Sequence, residues 1–386
     1  MNFSYEQTTK IIFGRGKIES IGEIASEFGK NVLLVTEATN SPLAPLFEKV
    51  KSLLEKEGLC VSHYDGVVPN PTTESVDAGT KIARNKKVDV VIGIGGGSAM
   101  DTAKAVAMTA VNEGRAWDYL FFKKQPEKTL PCIAVTTTSG TGSQVTQVAV
   151  MTETATQTKS AVFNNIIYPR VAIVDPDLMV TVPRHTTAST GFDAFCHCFE
   201  SYLNVNGSAY TDIIALEGIR MVAKYLRRVV KDGQDLEARE GMAWADTCGG
   251  LAIANAGVTL PHGVGMTISG HCPQIMHGES LALTYPSFMR LTRPAAVEKF
   301  AVVGRILNPE LAGLSDEEAS EKCCEEVDQL LKDIGMWLNF ESFSVDEAMI
   351  RKIADRSHDL PDYKANPVIA DIDEIYRELK DALVRG

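Results

Sequence analysis

The sequence is poor in cysteine and in positive charge. Eight cysteines in 386 residues are too few for a disulfide scaffold, and the close pairs Cys196/Cys198 and Cys323/Cys324 lack the spacing of a zinc ribbon. Lys and Arg number 38 against 50 Asp and Glu, and the resulting net charge of −12 disfavours nucleic-acid and anionic membrane partners. We therefore expect reduced, mostly buried thiols and neither of these partners.

The sequence also lacks an apolar run that could cross a membrane. Its most apolar stretch, residues 88–111, contains three consecutive glycines, Asp101 and Lys104, which would be costly in hydrocarbon. The first 14 residues show no basic region followed by an apolar run and a cleavage site. Export is not expected, and the cytoplasm is the predicted location.

The length and pattern of the chain predict two domains. The composition is 45% hydrophobic, which is enough for a large core. The first half alternates β-branched runs with helical patterns, as parallel sheets with crossover helices do, whereas helical windows dominate after Pro183. We predict an α/β fold with an N-terminal Rossmann-like parallel-sheet domain over residues 1–182 and a C-terminal all-α domain over 183–386.

The pattern also gives approximate element bounds. The predicted strands are 31–37, 60–64, 88–94, 132–136 and 171–174, and the predicted helices between them are 43–57, 73–85 and one that starts at Ser98. The predicted helices of the second half are 186–203, 208–230, 235–256, 280–292, 295–306, 316–334, 345–356 and 371–383.

A glycine turn, residues 95–98 (GGGS), lies between a predicted strand and a predicted helix. This placement gathers backbone N–H groups at the positive end of a helix dipole, which suits a phosphate. The alternative is a tight turn in which Ser98 and Asp101 form a capping box. Residues 136–143 form a second small-residue loop after a strand, and two such loops at the carboxyl ends of parallel strands favour a bound nucleotide.

An acidic residue, Glu37, ends the first predicted strand. A carboxylate at that point can accept hydrogen bonds from a ribose diol and repel a 2′-phosphate. Glu37 would therefore favour NAD over NADP, and the alternative is an exposed acid before a turn.

Four side chains could hold a metal ion. Asp193 and His197 are four residues apart in a predicted helix, so both side chains leave the same face, and His262 and His277 each precede a glycine. One carboxylate and three imidazoles suit a divalent transition ion such as iron or zinc better than calcium or magnesium. The alternative for Asp193 and His197 is an ordinary helical pair.

These motifs, in this order, resemble the iron-containing, or group III, alcohol dehydrogenase family, which has the dehydroquinate-synthase-like fold. The resemblance extends over most of the chain. The matching segments are GGGSAMDTAK at 95–104, TTSGTGS at 137–143, DPDL at 175–178, TGFDA at 190–194 and the His-Gly pairs at 262–263 and 277–278.

The resemblance implies one divalent metal, Fe(II) in preference to Zn, bound by Asp193, His197, His262 and His277. It also implies that the N-terminal domain binds NAD(H) in preference to NADP(H). The dinucleotide contacts implied in this way are Glu37, Asn70, Gly96, Gly97, Ser98, Thr137, Thr138, Thr141, Lys159 and Leu178.

The implied function is NAD(H)-linked oxidation of an alcohol, or reduction of an aldehyde, by hydride transfer in a homo-oligomer. Family members usually carry a second histidine four residues after the third ligand, where this chain has Met266. We therefore name His271 and Asp101 of the glycine motif as candidate catalytic residues, and the proton acceptor is either bulk water, which we favour, or His271. Met266 also favours a small, aliphatic substrate.

Other functions are open to the same residues. Within the fold, the substrate could be glycerol, maleylacetate, a hydroxyacid and oxoacid pair exchanged by a transhydrogenase, or a phosphonate-pathway aldehyde. A non-redox metal hydrolase or lyase and a non-catalytic nucleotide-binding protein are the alternatives from other classes.

Overall fold

The structure is a computed structural model that describes residues 2–120 and 123–385. The chain divides into two compact units: Glu6–Val182 forms one, and the residues up to Tyr5 join those from Pro183 onward in the other. The first unit holds a parallel sheet with covering helices, and the second is built from helices. The predicted fold class is therefore confirmed.

Parallel strands form the sheet of the first unit. In chain order the strands are β1 (Lys10–Phe13), β2 (Asn31–Glu37), β3 (Cys60–Val67), β4 (Val90–Gly95), β5 (Cys132–Thr136), β6 (Val148–Glu153), β7 (Thr158–Phe163) and β8 (Val171–Val174). Six of them are hydrogen-bonded in the spatial order β1-β8-β5-β4-β2-β3, and β6 pairs with β7 as a separate antiparallel hairpin.

Helices cover both faces of this sheet. They are α1 (Ile21–Ser26), α2 (Ala44–Lys56), α3 (Thr73–Asn85) and α4 (Gly97–Thr109). Side chains alternate along β2, so that Val32 and Leu34 pack with α1 and α2, whereas Leu33 and Val35 pack with α3 and α4. A strand buried on both faces must be apolar throughout, which explains the continuous runs that mark β2 and β4 in the sequence.

The order of the strands reverses direction at β2, and in open α/β sheets such a reversal creates a crevice at the carboxyl ends of the strands. The chain passes from β2 outward to β3 and returns to form β4 on the other side of β2. The helices that follow β2 and β4 therefore leave on opposite faces. In open α/β sheets ligands bind at such a reversal, outside the carboxyl ends of the strands.

The second unit consists of packed helices. Within the described part of this unit they are α5 (Arg184–Leu203), α6 (Ala209–Lys231), α7 (Leu236–Ala256), α8 (Leu260–His271), α9 (His277–Thr292), α10 (Val297–Leu307), α11 (Asp316–Ile334), α12 (Glu347–Arg356) and α13 (Ile372–Asp381). Helix α5 lies at the centre and is buried along most of its length. Its aromatic side chains Phe192, Phe195 and Phe199 join the main core of the unit.

The structure adds helix α1, strand β1, the β6–β7 hairpin and helix α8, which the sequence analysis did not predict. Strand β1 is a four-residue strand at the sheet edge, and the β6–β7 hairpin lies outside the main sheet, so neither has the buried apolar run used for prediction. Helix α8 contains three glycines and a proline, which have low helix propensity. It is nevertheless buried along most of its length, because tertiary packing outweighs propensity.

Other features agree with the expectations from composition. All eight cysteines are free, and all but Cys60 are buried. Among the described residues, no helix combines the length and the apolar character that a membrane span requires.

Close packing of α4 on β4 requires a glycine, and replacing it should destabilise the chain. A Cβ atom on Gly93 would lie 2.7 Å from the Cβ of Ala103 and 3.1 Å from the backbone of Met100. We expect Gly93→Ala to lower the free energy of unfolding by about 1–3 kcal/mol, measured by chemical denaturation. Gly313→Ala is the control, because nothing lies within 4 Å of its Cβ position. Equal stability of the two variants would contradict the expectation.

Candidate functional site

The four predicted metal ligands come together inside the second unit. One carboxylate oxygen, Asp193 Oδ1, lies 3.4 Å from His262 Nε2, 3.7 Å from His197 Nε2 and 3.9 Å from His277 Nε2. Ligand atoms about 2.1 Å from a shared ion in tetrahedral geometry lie roughly 3.4 Å apart. Asp193, His262 and His277 also each offer a ligand atom within 4.8 Å of the others. The spacing therefore fits a single divalent ion.

Unsatisfied polar atoms support the same conclusion. Among the described residues, Asp193 Oδ1 and His262 Nε2 are both buried and have no hydrogen-bond partner. Buried polar atoms without a partner are rare because each is costly, so such atoms call for an explanation such as an ion. The donor set of one carboxylate and three imidazoles suits a transition metal. The residues present therefore fit the metal that the resemblance implies.

The charges around the cluster favour a cation. Burial alone would raise the pKa of Asp193, but the neighbouring imidazoles outweigh it and hold this pKa well below its ordinary value. Burial would likewise lower the pKa of His262, but the Glu200 and Asp193 carboxylates outweigh it and raise this pKa to about 10. The low pKa keeps Asp193 ionised, and the raised pKa of His262 shows that the carboxylates around it stabilise positive charge.

The structure adds Glu200, a residue that the sequence analysis missed. Its Oε1 lies 2.6 Å from His262 Nδ1, and its Oε2 accepts hydrogen bonds from the backbone N–H and the hydroxyl of Thr259. Glu200 is fully buried. A carboxylate that holds one ring nitrogen of a ligating histidine fixes the tautomer and aims the other nitrogen at the ion. Glu200 thus presents His262 Nε2 to Asp193.

The sequence contains a signal for Glu200. Asp193, His197 and Glu200 occupy positions i, i+4 and i+7 of α5, so all three side chains leave one face of the helix. The aromatic residues of α5 occupy the other positions. An acid on the ligand face of a buried helix cannot be a solvated surface charge, and that argument would have found it.

Glycines let the ligand-bearing helices approach one another closely. A Cβ on Gly278, directly after His277 in α9, would lie 2.1 Å from the carbonyl oxygen of Ser189 in α5. A Cβ on Gly249 of α7 would lie 3.1 Å from the Cβ of His197. Glycine at position 278 is therefore a packing requirement, because the start of α9 lies against the backbone of α5.

The structure does not bring His271 to this cluster. His271 and His262 are nine residues apart in α8, which puts them about 13 Å apart along the helix axis. Burial lowers the pKa of His271, and Lys352 and Arg356 lower it further against an opposing hydrogen bond to Thr267. A catalytic role for His271 stays a prediction, and the distance of this residue from the cluster does not favour it.

The predicted phosphate loop has the expected form in the first unit. Helix α4 begins at Gly97 directly after β4, and Gly95 has a φ of 147°, which favours glycine. A Cβ on Gly97 would lie 2.7 Å from the Thr141 side chain, so the glycine loop and the 136–143 loop touch. The N-cap is Gly96 without a side-chain hydrogen bond, so the alternative capping box of Ser98 and Asp101 is wrong.

Asp101 instead holds these two loops together. Its Oδ1 accepts a hydrogen bond of 2.6 Å from the Ser143 hydroxyl, and its Oδ2 accepts one of 3.1 Å from the Val150 N–H. The fully buried Lys104 pairs with Asp101 at 3.1 Å and donates to the carbonyl oxygen of Ser143. The structure gives Asp101 a role in positioning the loops, and its predicted catalytic role stays a prediction.

The other predicted dinucleotide contacts lie at or near the same sheet edge. Glu37 ends β2 and Leu178 follows β8, both at carboxyl ends of parallel strands. Asn70 follows β3 with a φ of 50°, and its Oδ1 accepts a hydrogen bond of 2.8 Å from Lys159 Nζ on β7. Thr137 and Thr138 directly follow β5, and the Thr137 N–H donates to the carbonyl oxygen of the first glycine of the turn.

Removal of the Glu200 charge should weaken metal binding. We expect Glu200→Gln to lower the affinity for a divalent ion by about 10- to 100-fold, because the amide holds His262 Nδ1 less strongly. Competition with a coloured chelator measures this without turnover. Glu240→Gln, at an exposed position of α7, is the matched control. Equal metal affinities for both variants would exclude the role given to Glu200.

Comparisons with known proteins agree with this geometry. A model of the iron-containing alcohol dehydrogenase family matches residues 8–176, and a model of the C-terminal region of the Fe-containing alcohol dehydrogenase family matches residues 187–383. The NAD-dependent methanol dehydrogenase of Bacillus methanolicus is 32% identical over 373 residues, which cover 96% of this chain and 97% of that protein.

Two further relatives show the same relationship. Long-chain-alcohol dehydrogenase 1 of Geobacillus thermodenitrificans is 37% identical over 345 residues, 88% of this chain and 86% of that protein. The crystal structure of NADH-dependent butanol dehydrogenase A from Thermotoga maritima superposes with a TM-score of 0.90 and 30% identity, covering 99% of this chain and 98% of that one. The chain therefore belongs to the iron-containing alcohol dehydrogenase family and is an oxidoreductase of that family.

Proposed function

We propose that the protein is a metal-dependent, NAD(H)-linked alcohol dehydrogenase that oxidises a small alcohol or, in reverse, reduces the aldehyde. The observation that carries this proposal is the convergence of three imidazole Nε2 atoms within 3.9 Å of the buried Asp193 Oδ1. A protein that only binds a nucleotide at the carboxyl ends of its strands would not need this cluster of metal ligands. A metal hydrolase would not need a nucleotide site.

The residues of the chain prepare the metal site for this chemistry. A bound divalent ion supplies a Lewis acid that lowers the pKa of an alcohol hydroxyl, and bound NAD supplies the hydride acceptor. Asp193, His197, His262 and His277 would hold the ion, and Glu200 keeps the proton of His262 on Nδ1. The donor set suits iron or zinc, and membership of the iron-containing family favours Fe(II), with Zn as the second choice.

The proton released from the alcohol goes to water in this proposal. Met266 lies one turn after His262 in α8 and has no group that exchanges protons. His271 lies at the far end of the same helix. Neither side chain can therefore pass the proton on directly, which favours solvent as the acceptor.

Glu37 supports NAD as the dinucleotide. It ends β2 beside β4, whose carboxyl end carries the glycine turn, so it lies at the crevice edge next to the phosphate loop. A carboxylate there can accept hydrogen bonds from the ribose diol and repels a 2′-phosphate.

A short aliphatic chain fits Met266 best. Methionine offers an apolar, adaptable surface to methylene groups. The relatives named for methanol, butanol and long-chain alcohols support an alcohol as substrate. A steady-state comparison of 1-butanol, propane-1,3-diol and glycerol should place glycerol last. The homo-oligomer and the cytoplasmic location stay predictions.

The function is tested by metal analysis of protein purified without oxygen, together with assays over short alcohols and aldehydes. We expect about one ion per chain, iron in preference to zinc, and turnover with NAD that disappears when a chelator removes the metal. Asp193→Asn, which keeps the side-chain shape, should lose both metal and turnover. Turnover at the wild-type rate after complete metal removal would contradict the proposal.

The cofactor preference is tested at Glu37. We expect Glu37→Gly to shift the ratio of kcat/KM values for NADP and NAD by about tenfold towards NADP, because the repulsion of the 2′-phosphate is lost. Glu37→Gln, which keeps the size but not the charge, separates repulsion from hydrogen bonding. An unchanged ratio in both variants would remove Glu37 from the dinucleotide site.

A further inference from the structure

An additional carboxylate, Asp362, lies beside the metal cluster. It belongs to a 3-10 helix, Pro361–Ala365, that packs on α8 within the second unit. A Cβ atom on Gly263 would lie 3.4 Å from the Cβ of Asp362 and 3.5 Å from its Oδ2. Because Gly263 directly follows the ligand His262, the carboxylate lies against the bare backbone of the helical turn that carries this ligand.

Within the part of the chain that the structure describes, Asp362 has no cationic partner within 4 Å. Two basic side chains close to it in the sequence are engaged elsewhere: Lys364 lies over the ring of Tyr363, and Arg356 pairs with Asp359. Asp362 is half-buried. A carboxylate that is partly removed from water and not neutralised is costly, so a position of this kind suits a cation that arrives with a ligand.

The charges near His262 also favour a ligand that carries a positive charge. Asp193, Glu200 and Asp362 carry three negative charges when ionised, whereas a divalent ion brings two positive ones. Of these three, Asp193 faces the ion site and Glu200 holds His262, so Asp362 is the carboxylate that pairs with no described cation and with no ion at the site.

We propose that Asp362 binds a protonated amine on the substrate, so that the physiological substrate is a short amino alcohol or the corresponding amino aldehyde. This inference rests on the proposed function and specifies its substrate class. Met266 and Asp362 then have complementary tasks. Met266, one turn after His262, packs against the methylene groups, and the carboxylate receives the ammonium group by a charge-assisted hydrogen bond.

The test compares 3-amino-1-propanol with 1-butanol, which has the same number of heavy atoms and carries a methyl group in place of the ammonium. At pH 7.5 the amine is protonated. We expect the wild-type protein to have the larger kcat/KM for the amino alcohol. Asp362→Asn should lower the ratio of the two values by about tenfold or more, since a charge-assisted hydrogen bond is lost.

Two controls separate this effect from general changes of charge or structure. Asp359→Asn removes a negative charge three residues away, where the carboxylate pairs with Arg356, and should leave the ratio unchanged. Titration calorimetry of 3-amino-1-propanol on metal-loaded protein measures binding without turnover, and Asp362→Asn should bind it about tenfold more weakly. Ethanolamine and 4-amino-1-butanol, compared with 1-propanol and 1-pentanol, show which chain length reaches the carboxylate.

The outcomes distinguish this inference from the function on which it rests. A wild-type preference for 1-butanol, or a ratio that Asp362→Asn leaves unchanged, overturns the role of Asp362 while alcohol oxidation itself stands. Failure of the metal-loaded wild-type protein to oxidise any alcohol in the series overturns the proposed function. A preference for the amino alcohol that depends on Asp362 supports both.

Discussion

The functional part of the structure depends on one electrostatic constraint: a buried carboxylate of α5 faces three imidazoles that come from α5, α8 and α9. Asp193 and His262 each keep a buried polar atom without a hydrogen-bond partner among the described residues. Such an arrangement is costly unless a cation occupies the space between the groups. The close helix crossings at Gly249 and Gly278 hold the ligands in place before any ion binds, which is what a preorganised site requires.

Two further carboxylates, Glu200 and Asp362, lie beside the turn that carries the ligand His262. Glu200 accepts hydrogen bonds from Nδ1 of His262 and from the backbone N–H and hydroxyl of Thr259, so both of its carboxylate oxygens have partners. Asp362 lies against Gly263, the next residue of α8, and has no such partners among the described residues. Two acids near the start of α8 thus have different tasks: one fixes a ligand, and the other is available to a substrate. This difference follows from their partners, because both are carboxylates of similar intrinsic chemistry.

The side of the sheet where the dinucleotide contacts are predicted is organised by close packing at glycines and by one buried ion pair. Glycines at the end of β4 bring α4 and the 136–143 loop within contact distance, and Asp101 with Lys104 holds that arrangement from beneath. The strand reversal at β2 and β4 then places Glu37 beside the loop. Asp101 and Lys104 therefore matter for binding although they are not predicted contacts, because they position the loop backbone that would contact the dinucleotide.

The sequence by itself determined the parallel sheet and most helices, because burial on both faces or along one stripe leaves a periodic apolar pattern. Asp193 and His197 also followed from helical spacing. The family resemblance added His262 and His277, and only the tertiary structure showed that the four side chains meet, that Glu200 holds His262 and that Asp362 borders the same turn. Those contacts join segments up to about 100 residues apart, and helix α8, with its glycines and proline, forms because of its neighbours. Local sequence encodes which face a residue occupies, whereas its partners across the core depend on how the elements pack.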